Sequence, residues 1–190
     1  FERKLLLANA AGKIYALEGE AKQAAADGHM PHPLTLHANI GDCIKIKLTN
    51  RLKAGNASIH ANNIAFDPLK SQGINVGNNP GDQTVAPGKS KNYEFFADPG
   101  FKINGSLIWD FGNLTTNLRD GMFGGIIIGP RGSVYRDPDT GKDISLGNSW
   151  KADVIIDKSY PENANIENYR DFALYFQDED NIIGTSFMPY

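Results

Sequence analysis

An all-β antiparallel sandwich is the fold class this sequence predicts, on three observations. Short stretches alternate apolar and polar residues, as Cys43-Ile44-Lys45-Ile46-Lys47-Leu48 does, the mark of a strand with one buried face. The 20 Gly and 10 Pro among the 190 residues are scattered between such stretches, where turns are needed. No helix of conventional length is legible in residues 1–130.

Taken in order, residues 4–8 and 13–17 flank the turn-forming cluster Asn9-Ala10-Ala11-Gly12 and predict a hairpin. Residues 20–27 are Ala-rich and suit one or two helical turns ended by Gly28. His29-Met30-Pro31-His32-Pro33 is extended, because each proline biases its predecessor away from the helix. Strands follow over 34–37 and 42–48, either side of Asn39-Ile40-Gly41, and over 57–66, ending at Asp67-Pro68. Residues 73–82, rich in Gly, Pro and Asn, predict a long loop. Pro87-Gly88 marks a turn before a strand over 91–97, and strands over 106–110 and 122–128 bracket a second loop. Beyond Pro130 comes a polar, turn-rich stretch, then a fresh strand from Tyr169.

Composition is that of an ordinary globular chain, 41% hydrophobic and 22% charged, with no apolar run long enough to span a membrane. A net charge of −3 with the signs well mixed argues against nucleic-acid binding driven by phosphate neutralisation. The single cysteine, Cys43, excludes an intrachain disulfide and reads as a buried small hydrophobe on its strand; the alternative, a reactive thiol or a metal ligand, would need His or Cys neighbours that this strand lacks. Three Asn-x-Ser/Thr triplets, at Asn56, Asn104 and Asn113, would be glycan acceptors in a eukaryotic secretory pathway. The chain begins at Phe1 and stops at Tyr190 after a new apolar pattern, so both ends are expected to be those of a processed piece or fragment.

The most informative stretch runs from Trp109-Asp110-Phe111-Gly112-Asn113 through Asn117 to Gly121-Met122-Phe123-Gly124. With Gly41-Asp42-Cys43-Ile44-Lys45-Ile46-Lys47-Leu48, Ser58-Ile59-His60 and Val85-Ala86-Pro87-Gly88 before Tyr93, it resembles in order one domain of a multicopper oxidase. The tail, Gly132-Ser133-Val134-Tyr135-Arg136-Asp137-Pro138 and then Tyr169-Arg170-Asp171-Phe172, resembles the interdomain connector of the large, manganese-oxidising type.

That resemblance implies a cupredoxin-like Greek-key β-sandwich over 1–130 and a connector over 131–168. Residues 169–190 would be the first strand of a next such domain or a docking tail. The family's blue copper takes a thiolate, imidazoles and a weak axial thioether, because soft sulfur tunes copper for electron transfer. Here the thiolate, imidazole and thioether places of the loop read Gly112, Asn117 and Met122. The family's trinuclear copper site needs His-x-His pairs; the matching places read Ser58-Ile59-His60, Phe111 and Asn113, leaving one imidazole.

Met122 is therefore expected in the core and His60 as a hydrogen-bonded strand histidine, the alternatives being a vestigial axial ligand and a ligand completed by a neighbouring domain. His29 and His32 could chelate an exposed copper or zinc ion, although a proline-fixed extended backbone does not set two rings on one face as a helix would. Asp178-Glu179-Asp180 reads as a solvated loop, with a cation-guiding carboxylate run as the alternative.

The implied function is a copper-free structural domain of an extracellular or periplasmic multicopper oxidase, not itself catalytic. Copper would sit in sister domains that oxidise a substrate or metal ion and reduce oxygen. The implied partners are other cupredoxin domains or chains, or further copies, with no nucleic acid or membrane. A non-enzymatic secreted β-sandwich binding or assembly subunit is the alternative.

Overall fold

The computed structural model describes residues 12–20, 32–77, 81–113, 115–145 and 147–176. Among the described residues, seven strands build the first part of the chain: β1 (Leu34–Asn39), β2 (Cys43–Thr49), β3 (His60–Ala61), β4 (Ala65–Phe66), β5 (Ser90–Phe96), β6 (Asn104–Trp109) and β7 (Phe123–Gly129). They form one sheet in the order β1-β7-β6-β3 and another in the order β2-β5-β4. Only β1 and β7 run parallel; the other neighbours are antiparallel.

Alternation decides which residues lie between the sheets. On β5, Tyr93 and Phe95 are buried while Asn92, Glu94 and Phe96 are exposed. They pack with Ile108 of β6, Ile126 and Ile128 of β7, and Ile59, Ile64 and Val85 of the connections. Ile44, Ile46 and Leu48 of β2 close the core from the second sheet. Cys43 has the parity of Lys45 and Lys47, not of the isoleucines, so it is exposed rather than buried as expected. Gly41, at φ 93°, supplies the left-handed residue of the β1–β2 turn, where the Asp42 N–H donates to the Asn39 carbonyl at 2.9 Å.

The single strand expected over 57–66 is two short strands in different sheets. His60 pairs with Trp109 of β6, and Ala65 with Phe96 of β5. The chain crosses between sheets through Asn62-Asn63, with Asn63 at φ 54°, a conformation asparagine tolerates better than most residues. The expected hairpin does not form in its second half: residues 13–17 join no ladder. Instead the Lys13 N–H donates to the Asp120 carbonyl at 2.8 Å, and Tyr15 enters the core. Residues 4–8 and 21–27, the other half and most of the helical stretch, lie outside the described residues.

The stretch 131–168 carries more than connections. It contributes β8 (Val134–Arg136) and β9 (Lys151–Ile155), which form a third sheet with β10 (Tyr169–Phe172) in the order β10-β9-β8. Tyr135, Ala152, Val154 and Ile156 make a second, smaller core there. The third sheet lies on the outer face of the first. Thr35, His37 and Asn39, the outward residues of β1, meet Tyr175, Asp171 and Tyr135 respectively. Opposite them, β7 presents glycine: a Cβ at Gly125 would stand 2.8 Å from the Tyr175 hydroxyl. Among the described residues, no helix is long and apolar enough to cross a membrane.

Candidate functional site

The loop between β6 and β7 is organised by Asp110, which is 1% exposed. An aspartate directly after an apolar strand has backbone N–H groups within reach on both sides of the turn. Its Oδ2 accepts from Ser58 N at 2.8 Å, and its Oδ1 from Gly112 N at 2.9 Å and Asn113 N at 3.3 Å. The Asn117 side-chain amide donates to Oδ1 at 2.9 Å. Tyr15 donates its hydroxyl to the Ser58 carbonyl and lies 3.5 Å from Oδ2. Burial pushes the Asp110 carboxyl above its ordinary value, against the pull of the bonds from Ser58, Asn117, Asn113 and Gly112. The Tyr15 phenol is pushed well up, first by burial and then by the Asp110 charge.

Each residue at a blue-copper place has another occupation. Asn117, 1% exposed, also donates to the Asn56 carbonyl at 2.9 Å and accepts from Lys13 Nζ at 3.0 Å. Gly112 sits against neighbouring backbone: a Cβ there would be 2.6 Å from Ala57 Cα and from the Asn56 carbonyl group. Met122 is 3% exposed and belongs to the sandwich core.

The trinuclear places are brought together, but as an aromatic group. The His60 ring meets the edge of Phe111 at 5.2 Å and of Phe66 at 5.9 Å, and Phe111 stacks on Trp109 at 6.0 Å. Ser58 Oγ accepts from Phe111 N at 2.9 Å, and Asn113 Oδ1 is used by Thr115. His60 Nδ1 lies 2.7 Å from the Gln72 carbonyl. A carbonyl only accepts, so Nδ1 carries the hydrogen and the neutral ring keeps its lone pair at Nε2. Gly73, at φ 71°, lets that carbonyl approach, since a Cβ would run into the Ile59 carbonyl.

His32 Nδ1 lies 3.0 Å from the Pro33 carbonyl, while His29 and Asp178-Glu179-Asp180 lie outside the described residues. His37, its side chain fully buried, pairs with Asp171 at 3.3 Å and packs on the Tyr135 ring at 4.7 Å. Among the described residues no group of three His, Cys, Asp or Glu is set to hold a metal ion. Sequence reasoning missed Lys13, Tyr15 and Asp110. For Asp110 a signal existed, the Asp-Phe-Gly that breaks an apolar strand; the reach of Lys13 to a residue 104 positions away has none.

The model of the multicopper oxidase family matches residues 9–133. No curated protein matches. Among solved structures, a multi-copper oxidase from Pseudomonas Thermotolerans is 20% identical, aligning 52% of this chain with 22% of its own at a TM-score of 0.44. One from Pseudomonas Parafulva is 21% identical, over 53% of this chain and 23% of its own, with a TM-score of 0.44. Fet3p, a multicopper oxidase that functions in iron import, is 23% identical over 56% of this chain and 19% of its own, with a TM-score of 0.41. The chain thus spans about a fifth of the length of these structures. Its all-β, cupredoxin-like sandwich and a family match reaching from residue 9 to residue 133 lead to one conclusion: the chain belongs to the multicopper oxidase family.

Proposed function

We propose that this is a copper-free, architectural cupredoxin domain of an extracellular or periplasmic multicopper oxidase. It spaces and orients copper-bearing sister domains, which oxidise a substrate or metal ion and reduce oxygen, and it carries no catalytic residue of its own. The observation that supports this best is Asn117. The residue at the imidazole place is a buried amide whose donor and acceptor ends are both committed within the chain. The neighbouring places do not suit copper either. Gly112 has no side chain and no room for one, and Met122 is packed among core residues. A lone His60 cannot hold a cluster that takes paired imidazoles.

An apolar stripe supports the architectural part of the reading. Phe172, Leu174 and Phe176 alternate along the chain and are 61%, 66% and 91% exposed, a pattern suited to contact with another domain. The test is the metal content of the purified protein, with its absorbance in the blue-copper band. The expected result is no stoichiometric copper and no blue band for this chain by itself, and copper in the assembly purified with its sister domains. One copper per chain would overturn the proposal.

A further inference from the structure

We propose that Lys13 is the built-in cation of the 110–122 loop, a tethered ammonium that gives this loop the positive charge a metal ion gives its relatives. The inference rests on the copper-free reading. An ammonium group has three N–H donors and accepts nothing. Lys13 Nζ meets three oxygens of one turn: Asp120 Oδ2 at 2.8 Å, Asn117 Oδ1 at 3.0 Å and Thr116 Oγ1 at 3.4 Å. Its donor set is therefore used up by side chains spanning five positions of a single loop.

The approach is built from the backbone as well. The Lys13 N–H donates to the Asp120 carbonyl at 2.8 Å. Gly121, at φ 110°, clears the way on the other side, because a Cβ there would stand 2.7 Å from the Lys13 carbonyl oxygen. Both partners of the ion pair are largely shielded, with side chains 22% and 9% exposed, so the attraction is less screened than at an open surface.

Asn117 carries the effect inward. Its carbonyl oxygen faces the ammonium and its amide nitrogen faces the Asp110 carboxylate, so the amide dipole lies aligned between a cation and an anion. Each bond polarises the group that makes the next one, which strengthens the chain in a low-dielectric surrounding. A neutral imidazole has a single donor and a single acceptor, so it could not also make the second donation that Asn117 makes, to the Asn56 carbonyl. Lysine at 13, asparagine at 117 and aspartate at 110 thus form one unit that fixes the loop.

The experiment is hydrogen exchange on the whole chain. The amides of Asn117, Asp120, Gly121 and Met122 donate within the loop and report its integrity. In Lys13→Met their exchange should quicken about tenfold or more, the loss expected for a charge-assisted bond, with β2 and β5 unchanged. In Lys13→Ala, propylammonium chloride should slow exchange again, and sodium chloride at equal ionic strength should not. Unchanged protection in Lys13→Met, or equal recovery with both salts, would overturn the inference. Should these variants not fold, Lys13→Arg melting above Lys13→Gln supports it, and equal melting overturns it. Copper measured in the same wild-type protein separates the two ideas. A copper-free protein indifferent to Lys13 sinks this inference alone, whereas bound copper sinks the copper-free reading and the substitution with it.

Discussion

Ser58 and Asp110, 52 positions apart in the chain, are bound to each other in the core: the Ser58 N–H donates to Asp110 Oδ2 at 2.8 Å, and Ser58 Oγ receives the next N–H, that of Phe111. This joint ties the β6–β7 loop to the stretch just before β3. It makes the Asp110 carboxylate the centre of the loop's hydrogen bonds.

Asp110→Asn should therefore be costly despite its equal size. One oxygen becomes an NH₂ facing N–H donors, and buried donors lose their acceptor. A loss of about 3 kcal/mol is expected, read from urea unfolding.

The same variant gives the pH dependence. Burial holds the folded-state pKa of Asp110 above its unfolded value, so the folded protein binds more protons between the two. Stability from this group then falls as pH rises through that window and is greatest on its acid side. The stability of the wild type minus that of Asp110→Asn should grow as pH is lowered from neutrality into the carboxylate range. Taking the difference removes Asp82 and Asp137, whose pKa values are lowered by hydrogen bonds, from Asn75 and Thr84 to Asp82 and from Thr140 to Asp137. Their contributions run the opposite way, being lost as pH falls. A difference that shrinks on acidification would contradict the assignment.

Restoring the thiolate and imidazole of the loop should not restore the family's copper. Gly112→Cys puts a Cβ 2.6 Å from the backbone of Asn56 and Ala57, and Asn117→His breaks the bonds to Asp110 and Asn56. The double variant is expected to lose 3 kcal/mol or more, about the cost of overpacking plus unpaired polar groups. Titration with copper should give no blue absorbance.

Tyr135→Phe tests the seam between the first and third sheets. The hydroxyl donates to the Ala38 carbonyl at 2.7 Å and lies 2.9 Å from Asn39 Oδ1. Its removal should cost about 1–2 kcal/mol, seen as a lower midpoint in denaturant. Phe172→Ser with Leu174→Ser, by contrast, should stay within about 0.5 kcal/mol of wild type, and any self-association measured by sedimentation should weaken.

The strands that alternate cleanly were legible in sequence. Ile44, Ile46 and Leu48 announce their inward face by period two, and the turn at Gly41 is announced by its residue type. Cys43 was misplaced although its own strand held the answer, since it shares parity with two lysines. Gly112 and Asn117 were legible as residue types other than the thiolate and imidazole the resemblance implies there. That Asn117 would bridge a lysine and an aspartate was not. Such bonds join residues far apart in the chain, and nothing local in Lys13 or Tyr15 points to its partner. The third sheet was hidden for a related reason: β8 has three residues, too few for a periodic signal.

β1 serves two cores at once, with Leu34 and Ala38 facing the sandwich and Thr35, His37 and Asn39 facing the third sheet. A strand shared this way leaves neither part a private boundary along which to come apart. Peeling the third sheet away strips partners from three polar side chains of β1, while melting β1 removes the surface on which that sheet rests. Heat should therefore take both in a single cooperative step rather than in two.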